Sequence, residues 1–231
     1  MNKKNQTDKY GVLGIDYAKK RTSSKALKYR LWRRTREVVQ SIENYLSDKP
    51  SSIIDLGAAE GRMLNDLQKK FPRSVCVGVE YNQELVDEGK SLFPFLDIRQ
   101  GDVQDLGFVD KASFDVAIAT AVIEHLDEPE TFIKEAVRIL RPDGLLILTA
   151  PDPFWERLAT IVGHLDSEQH SQVPNLKRLC SLVEGEKMQL VLAQKFMLSP
   201  IGMPAEIFIE SIARSIGLSF MMANQLVVAR V

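Results

Sequence analysis

The feature that most constrains this chain is a short apolar run that ends in an acid and a glycine-containing turn. Residues 53–61 read Ile-Ile-Asp-Leu-Gly-Ala-Ala-Glu-Gly, and a helical pattern follows directly. The run predicts a buried strand, and Gly57 allows the backbone to turn and to approach a ligand closely. The N-terminus of the following helix adds a partial positive charge, which favours a carboxylate or phosphate. The segment therefore predicts a strand that leads into a cofactor-binding loop.

The glycine spacing of this loop disfavours a nicotinamide dinucleotide. The dinucleotide fingerprint has the order G-x-G-x-x-G, whereas Gly57 is followed by Ala58, Ala59 and Glu60 before Gly61. Taken alone, the loop also allows an ordinary strand-to-helix turn without a ligand.

Three further apolar runs end in acidic or polar residues. Residues 75–80 end in Glu80, about twenty residues after the loop, where nucleotide-binding folds carry a ribose-binding carboxylate. A third run leads to Gly101-Asp102, and residues 114–119 lead to Thr120. Because the carboxyl ends of parallel strands meet at one edge of a sheet, these four strand ends are predicted to share one crevice.

The order of the predicted elements favours an α/β fold with a parallel sheet covered on both faces. The predicted elements are a helix at 25–46, a strand at 52–55, a helix at 61–70, and strands near 75–80, 97–100, 114–119 and 145–150, with helices between them. Two late strand patterns, 188–198 and 226–231, are separated by residues 200–217. A chain of 231 residues with 45% hydrophobic side chains is long enough for one sizeable core.

Five motifs follow one another in a fixed order along the middle of the chain. They are Asp55-x-Gly57-x-x-x-Gly61, Glu80, Gly101-Asp102, Ile123-Glu124-His125-Leu126 and Arg138-Ile139-Leu140-Arg141-Pro142-Asp143-Gly144. This order resembles the class I S-adenosylmethionine-dependent methyltransferases, and most of all their small-molecule branch, which includes the ubiquinone-biosynthesis type. The family often has glycine where Ala59 stands, and a Pro-Gly-Gly turn in place of residues 142–144. Both departures are tolerable, because alanine is small and Asp accepts unusual turn dihedral angles.

The resemblance implies a Rossmann-like fold and a cofactor. The implied sheet has seven strands and is mostly parallel, with an antiparallel final strand pair and helices on both faces. One methyltransferase domain is expected over residues 1–231, with a basic N-terminal helical extension at 1–48 and substrate-cap insertions at 151–187 and 199–222. The implied cofactor is S-adenosyl-L-methionine, which leaves as S-adenosyl-L-homocysteine.

The resemblance also assigns cofactor-binding residues, position by position. Asp55 and the backbone of Gly57, Ala58, Ala59 and Gly61 are expected at the methionine moiety, Glu80 at the ribose hydroxyls, Tyr81 and Val103 beside the adenine ring, Asp102 at the adenine amino group, and Ala119 and Thr120 at the rim.

Four residues are candidates for proton transfer. His170 follows an apolar helical pattern and is the preferred general base, although an ordinary loop histidine fits the sequence as well. His164 ranks below it. Glu124 and His125 follow the fourth strand at the floor of the crevice, and a structural role is favoured for His125. Some relatives of the ubiquinone type hold a divalent metal through an extra acid where this chain has Ala121, so no metal is expected.

The charge of the chain is uneven, although its formal net charge is −1. Residues 1–36 contain twelve Lys or Arg against two Asp, so this segment carries a charge of +10. The plain interpretation is a helix on the sheet edge with a solvated basic face. The alternatives are attraction to an anionic membrane surface, to an anionic substrate or to RNA, in that order.

The predicted cap segments are apolar. Residues 153–165 predict an apolar helical face over the crevice, and residues 204–222 repeat the pattern with few charges. These helices either complete the core or a homodimer contact, or they favour a hydrophobic acceptor such as a quinone, phenol, polyketide or lipid-like molecule. With no signal peptide or apolar span in the sequence, the cytoplasm is the expected location, with peripheral membrane contact left open.

The sequence also bears on rival functions within and outside this class of enzymes. Exocyclic-amine methylation of bases uses an Asn/Asp-Pro-Pro-aromatic motif where residues 120–123 read Thr-Ala-Val-Ile, so nucleic acid is an unlikely substrate. An RNA or protein methyltransferase, and a non-catalytic binding module with the same fold, remain alternatives.

Overall fold

The computed structural model of the chain describes residues 23–161 and 173–231, together with residues 14, 18 and 20. The helices are α1 (Lys25–Tyr45), α2 (Arg62–Lys70), α3 (Gln83–Leu92), α4 (Pro129–Ile139), α5 (Pro153–Ile161), α6 (Leu176–Gly185) and α7 (Glu206–Ser215). The strands are β1 (Ser52–Leu56), β2 (Val75–Glu80), β3 (Asp97–Gln100), β4 (Phe114–Thr120), β5 (Leu140–Pro151), β6 (Gln189–Phe196) and β7 (Asn224–Arg230). Short 3₁₀ turns lie at Ile123–His125 and Ser219–Met221.

The seven strands form one sheet in the order β3-β2-β1-β4-β5-β7-β6. Strands β1 to β5 pair in parallel, whereas β7 runs antiparallel to both β5 and β6. The predicted mostly parallel sheet with an antiparallel final pair is therefore confirmed. The strand order reverses between β1 and β4, which is where open α/β sheets form a ligand crevice beyond the carboxyl ends of the strands.

Alternating side chains of the central strands build two hydrophobic cores, one on each face of the sheet. On β1, Ile54 belongs to the core covered by α4 and α6, while Ile53 belongs to the core covered by α1, α2 and α3. Since both faces are covered, the central strands read as continuous apolar runs rather than as polar–apolar alternation.

Helix α1 lies across the centre of the sheet, so the prediction that it packs on the sheet edge is wrong. Val38 and Ile42, four residues apart, share a core with Ile118 of β4 and Ile147 of β5. The basic face is also only partly solvated, because the Arg33 side chain is 1% exposed. A run of basic residues at helical spacing therefore contains at least one that the fold buries.

The turn before the central part of β5 confirms that aspartate fits in place of the family's glycine. Asp143 has φ 66°, in the left-handed region. Strand β5 begins at Leu140, earlier than predicted, because Leu140 pairs with Phe114 before the register shifts to Val116 and Leu145.

The predicted cap segments contain helices α5, α6 and α7, and the division into extension, domain and caps stays a prediction. No helix in the described ranges combines the length and the apolar character needed to cross a bilayer.

Candidate cofactor and acceptor site

Glycine is required at both ends of the loop after β1. Gly57 and Gly61 have φ of 87° and 76°, in the left-handed region that favours glycine. A Cβ atom on Gly57 would lie 2.4 Å from Cγ2 of Val122, and one on Gly61 would lie 2.5 Å from Cδ1 of Ile98. The two glycines therefore let the loop pack against the end of β4 and against β3.

The N–H groups of this loop are engaged within the protein. Gly57 and Ala58 both donate to the carbonyl oxygen of Val79, at 2.8 and 3.0 Å, and Ala59 donates to Oε2 of Glu80 at 2.8 Å. The turn at Gly57 predicts a loop whose backbone approaches a ligand closely. In these three residues the donors are already used, so the nearby carboxylates and carbonyl oxygens are the groups that can face a ligand.

The Glu80 carboxylate is held at the end of β2 by two backbone donors. Its Oε2 accepts from Ala59, and its Oε1 accepts the N–H of Asn82 at 2.9 Å. In the sheet, Glu80 pairs with Gln100, which brings Gly101-Asp102 immediately beyond it on the neighbouring strand. A buried carboxylate fixed at both oxygens is suited to orient hydroxyl groups of a ligand.

Two more carboxylates lie at neighbouring strand ends. Asp55 is buried near the end of β1, paired with Gly78 on one side and Ile118 on the other. Asp102, half-buried just past β3, accepts the N–H of Gln104 at 2.8 Å. Since adjacent strands are about 4.8 Å apart, the carboxylates at the ends of β1 and β2 and just past β3 lie along one edge of the sheet.

The remaining predicted cofactor residues differ in exposure. Tyr81 is 41% exposed beside Glu80, and Thr120 is half-buried at the end of β4. Val103 and Ala119 contribute their side chains to the core under α4. The side chain of Ala119 is therefore a packing element.

Glu124 is a buried carboxyl group on the other side of the crevice. It is 4% exposed, and its Oε2 has no hydrogen-bond partner among the described residues. Burial raises the pKa of Glu124 from an ordinary value of 4.5 to about 7; Arg34 of α1 acts to lower this pKa, and Glu156 of α5 acts to raise it. The charges that act on Glu124 thus belong to both α1 and α5, the helices that flank this side of the crevice.

The raised pKa of Glu124 predicts a pH-dependent loss of stability. Below pH 4.5 the group is protonated in both states, whereas between pH 4.5 and 7 the unfolded chain ionises and the folded protein does not. The free energy of unfolding should therefore fall as the pH rises through this window, by about 3 kcal/mol in total. We expect urea titrations of Glu124→Gln, compared with the unchanged protein at pH 5 and pH 8, to show the variant gaining in relative stability at pH 8. An equal difference at both pH values contradicts this environment for Glu124.

Polar residues that were not predicted from the sequence complete this side of the crevice. Asp152, buried just past β5, forms an ion pair with Lys195 of β6 at 2.5 Å. Arg34 donates to Oδ1 of Asn224, the first residue of β7, at 3.0 Å. Asp152 could have been found by the signal that identifies Asp102, an acid directly after a strand, whereas Arg34 is hidden among many basic residues.

The predicted histidines are only partly located by the structure. His125 is half-buried in the 3₁₀ turn, and its backbone N–H donates to Val122 at 2.9 Å. His164 and His170 lie outside the described residues. In the described ranges no group of three or more His, Cys, Asp or Glu side chains is arranged to hold a metal ion.

Comparison with known proteins identifies the central part of the chain. Residues 54–148 match the family model described as a methyltransferase domain. A protein of Mycolicibacterium smegmatis, named "Probable S-adenosylmethionine-dependent methyltransferase", is 33% identical over 122 residues, which are 52% of this chain and 46% of that protein. The malonyl-[acyl-carrier protein] O-methyltransferase of Halalkalibacterium halodurans is 30% identical over 117 residues, 47% of this chain and 43% of the enzyme. The chain therefore spans less than half the length of these two relatives.

A solved structure shares the fold over most of the chain. It is a complex between the Haloferax volcanii Trm112 methyltransferase activator and a methyltransferase; the likeness has a TM-score of 0.67 at 16% identity and covers 88% of this chain and 90% of the other. At this identity the likeness shows the fold alone. The resemblance to the ubiquinone-biosynthesis branch stays a prediction, whereas the wider family is shown by the match and the relatives together. Residues 54–148 form a methyltransferase domain of the class I S-adenosylmethionine-dependent family.

Proposed function

We propose that this protein transfers a methyl group from S-adenosylmethionine to a small, predominantly apolar acceptor. The observation that carries the proposal is the set of carboxylates at the ends of β1 and β2 and just past β3, beside the loop of Gly57 and Gly61, in a domain of this family. The family's methyl donor carries a cationic amino group, ribose hydroxyls and an adenine amino group, all of which donate hydrogen bonds. An edge of the sheet that is rich in hydrogen-bond-accepting oxygens has the matching chemistry.

The residues present fit this cofactor, because Glu80 is held in a fixed position at the edge of the sheet. Its two oxygens are held in place by the N–H groups of Ala59 and Asn82, and an ionised carboxylate can accept more than one hydrogen bond at each oxygen, as two vicinal hydroxyls require. In the proposed arrangement, Asp55 and the carbonyl groups of the loop receive the amino group, and Asp102 receives the adenine amino group. When bound, the cofactor supplies an electrophilic methyl group on sulfur.

For an acceptor with a hydroxyl group, we assign proton transfer to Glu124. A carboxyl group with a pKa of about 7 is matched to accepting a proton near neutral pH. Its Oε2 is buried and has no hydrogen-bond partner among the described residues, so it can accept the proton that a phenol or quinol loses as its oxygen takes the methyl group. His170 remains the alternative base, and Glu124 is preferred because its raised pKa and its buried Oε2 suit proton uptake near neutral pH.

The apolar character of the acceptor is supported by the start of α5. Phe154 and Trp155 pack edge to face at 5.6 Å between ring centroids, directly after the end of β5. Phe154 is exposed, and Trp155 is partly buried. Aromatic side chains at this position offer a flat apolar surface to a ring-containing acceptor.

A carboxylate acceptor is the second candidate. The Halalkalibacterium halodurans relative is named as an O-methyltransferase of a malonyl group. In this chain Arg34 lies close enough to Glu124 to act on its charge, so an anionic acceptor at this place would meet a guanidinium group. A carboxylate is already ionised at neutral pH and needs no general base.

One assay separates these candidates. The protein is incubated with methyl-labelled cofactor and either apolar phenols and quinols or dicarboxylates, and label transfer is followed for the unchanged protein and for Glu124→Gln. We expect transfer to the phenols, and a fall in its rate of about a hundredfold or more in the variant. Transfer to a dicarboxylate with no loss in Glu124→Gln would establish the second candidate. Cofactor binding without transfer to any acceptor would favour a non-catalytic binding module.

The partner predictions beyond the acceptor are not decided by the family match. Three points remain predictions from the sequence. They are a homodimer, nucleic acid as a disfavoured partner, and an RNA or protein methyltransferase as the rival function. Peripheral contact with an anionic membrane is a proposal with a structural basis of its own.

A further inference from the structure

Helix α7 is oriented with its polar face inward and its apolar face outward. Its two glutamates, Glu206 and Glu210, are buried, whereas Phe208 and Ile216 are 68% and 64% exposed. Ile209 and Ile212 are also exposed. These four apolar residues, three in α7 and Ile216 directly after its last residue, are here called the outer face of α7 and lie within about 100° of one another around the helix axis. Helices at a water-exposed surface normally show the reverse arrangement.

The reversed orientation is fixed by the partners of the two glutamates. Glu210 pairs with Arg33 of α1 at 2.5 Å and accepts the N–H of Met197 at 2.9 Å. Glu206 accepts from the hydroxyl group of Tyr29 and from the N–H of Ser199 at 2.8 Å. Since these contacts join α7 to α1 and to the end of β6, the outer face is held in place and its exposure is a property of the fold.

A basic stripe runs along α1, the helix that contacts α7 through Tyr29 and Arg33. Lys25, Lys28 and Trp32 are exposed at helical spacing, on a side of α1 adjacent to the side that carries Tyr29. The Trp32 ring lies 5.5 Å from the Tyr29 ring. A Cβ atom on Gly202 would lie 2.8 Å from the Tyr29 ring, so the segment before α7 is in contact with α1 next to the stripe.

From this placement we infer that the outer face of α7 and the basic stripe of α1 together form a surface that docks onto an anionic lipid bilayer. Phe and Ile side chains enter the acyl boundary, Trp32 lies at the headgroup level, and the two lysines meet lipid phosphates. The exposed side chain of Ile201, in the contact segment before α7, extends the apolar area towards the stripe. The N-terminal segment adds to the attraction, because residues 1–36 carry a charge of +10.

Charge complementarity favours a bilayer over a second copy of the chain. In a twofold dimer the partner presents the same surface, so it can cover the apolar face but brings a second basic stripe and no compensating charge. An anionic surface compensates the stripe and covers the apolar face at the same time. The inference does not rest on the proposed methyl transfer, because vesicle binding is measured without cofactor or acceptor.

The test is sedimentation of the full chain with vesicles of phosphatidylcholine alone and of phosphatidylcholine with about 30% phosphatidylserine. We expect binding to the anionic vesicles and at least tenfold weaker binding to the neutral ones. Phe208→Ser/Ile212→Ser and Lys25→Glu/Lys28→Glu should each weaken anionic-vesicle binding by about tenfold or more. Matched changes elsewhere on the surface, Phe95→Ser and Lys111→Glu/Lys177→Glu, should weaken it by less than about twofold.

The oligomeric state of the same variants separates the other occupants. Absence of vesicle binding, together with a concentration-dependent dimer that Phe208→Ser/Ile212→Ser abolishes, would overturn the inference in favour of a second copy. Absence of both vesicle binding and a dimer would overturn it in favour of cover by another part of the chain. Cofactor affinity, measured by calorimetry, should be unchanged in the two docking-surface variants, so failure of the proposed function is recognised separately.

Discussion

Replacing Glu80 with alanine is expected to weaken binding of S-adenosylmethionine by about a hundredfold or more. In the proposed arrangement the carboxylate receives two ribose hydroxyls, and a hydrogen bond to a charged group contributes about 1.5–3 kcal/mol. The change also leaves the N–H groups of Ala59 and Asn82 without the acceptors that hold them. The loop after β1 therefore loses its support from β2, and we expect both the affinity and the thermal stability to fall. Isothermal titration calorimetry gives the affinity.

Two further variants make the result specific. Glu80→Gln keeps the size of the side chain but has one acceptor oxygen in place of two, so we expect it also to lose affinity, by less than the alanine variant. Glu84→Ala removes an exposed carboxylate in the first turn of α3, the helix after β2, and should leave the affinity within about twofold. An affinity for Glu80→Ala that matches that of Glu84→Ala would remove Glu80 from the cofactor site.

Replacing Arg33 with alanine is expected to lower the free energy of unfolding by about 3–5 kcal/mol. The Arg33 guanidinium is buried between the carboxylates of Glu37 and Glu210 and lies 5.4 Å from the centroid of the Phe196 ring. Removing it leaves the buried carboxylate of Glu37 without this cation and leaves Glu210 with only the longer contact to Arg214, at 3.5 Å. Loss of a buried partner costs far more than an exposed ion pair contributes. For a chain of this length the midpoint of thermal unfolding should fall by roughly 10 °C.

The matched control for this variant is Arg30→Ala in the same helix. Arg30 is half-buried, so the two variants lose the same side chain and differ mainly in the buried charges left behind. We expect urea unfolding to show a loss of under about 1 kcal/mol for Arg30→Ala. Equal losses in the two variants would show that the buried cluster does not hold α7 against α1.

Much of the cofactor side of the crevice was predictable from local sequence. Asp55, Glu80 and Asp102 follow apolar runs directly, and a strand carries its last residues to the same edge of the sheet as its parallel neighbours. Ala119 was also assigned to the cofactor site, and that assignment stays a prediction; the burial of its side chain in the core depends on helix α4, which packs on this face of β4 from elsewhere in the sequence. The packing of Gly57 against Val122 was missed, because the two residues are far apart in the sequence.

The position of α7 could not be predicted from its own residues. Its apolar pattern favoured a face turned towards the crevice or the core, yet Glu210 is drawn inward by Arg33, 177 residues away in the chain. Arg33 itself lies among basic residues at helical spacing, and no local signal separates a buried arginine from a solvated one. Interactions between distant charged residues decided the orientation, and a hydrophobic pattern does not report them.

The central claim is that the crevice binds S-adenosylmethionine, and calorimetry tests it most directly. The purified protein is titrated with S-adenosylmethionine and with S-adenosylhomocysteine, and NAD(H) serves as the control ligand. We predict dissociation constants in the micromolar range for the first two and no binding of NAD(H). Binding of NAD(H), or binding of neither methionine-derived ligand, would contradict the account.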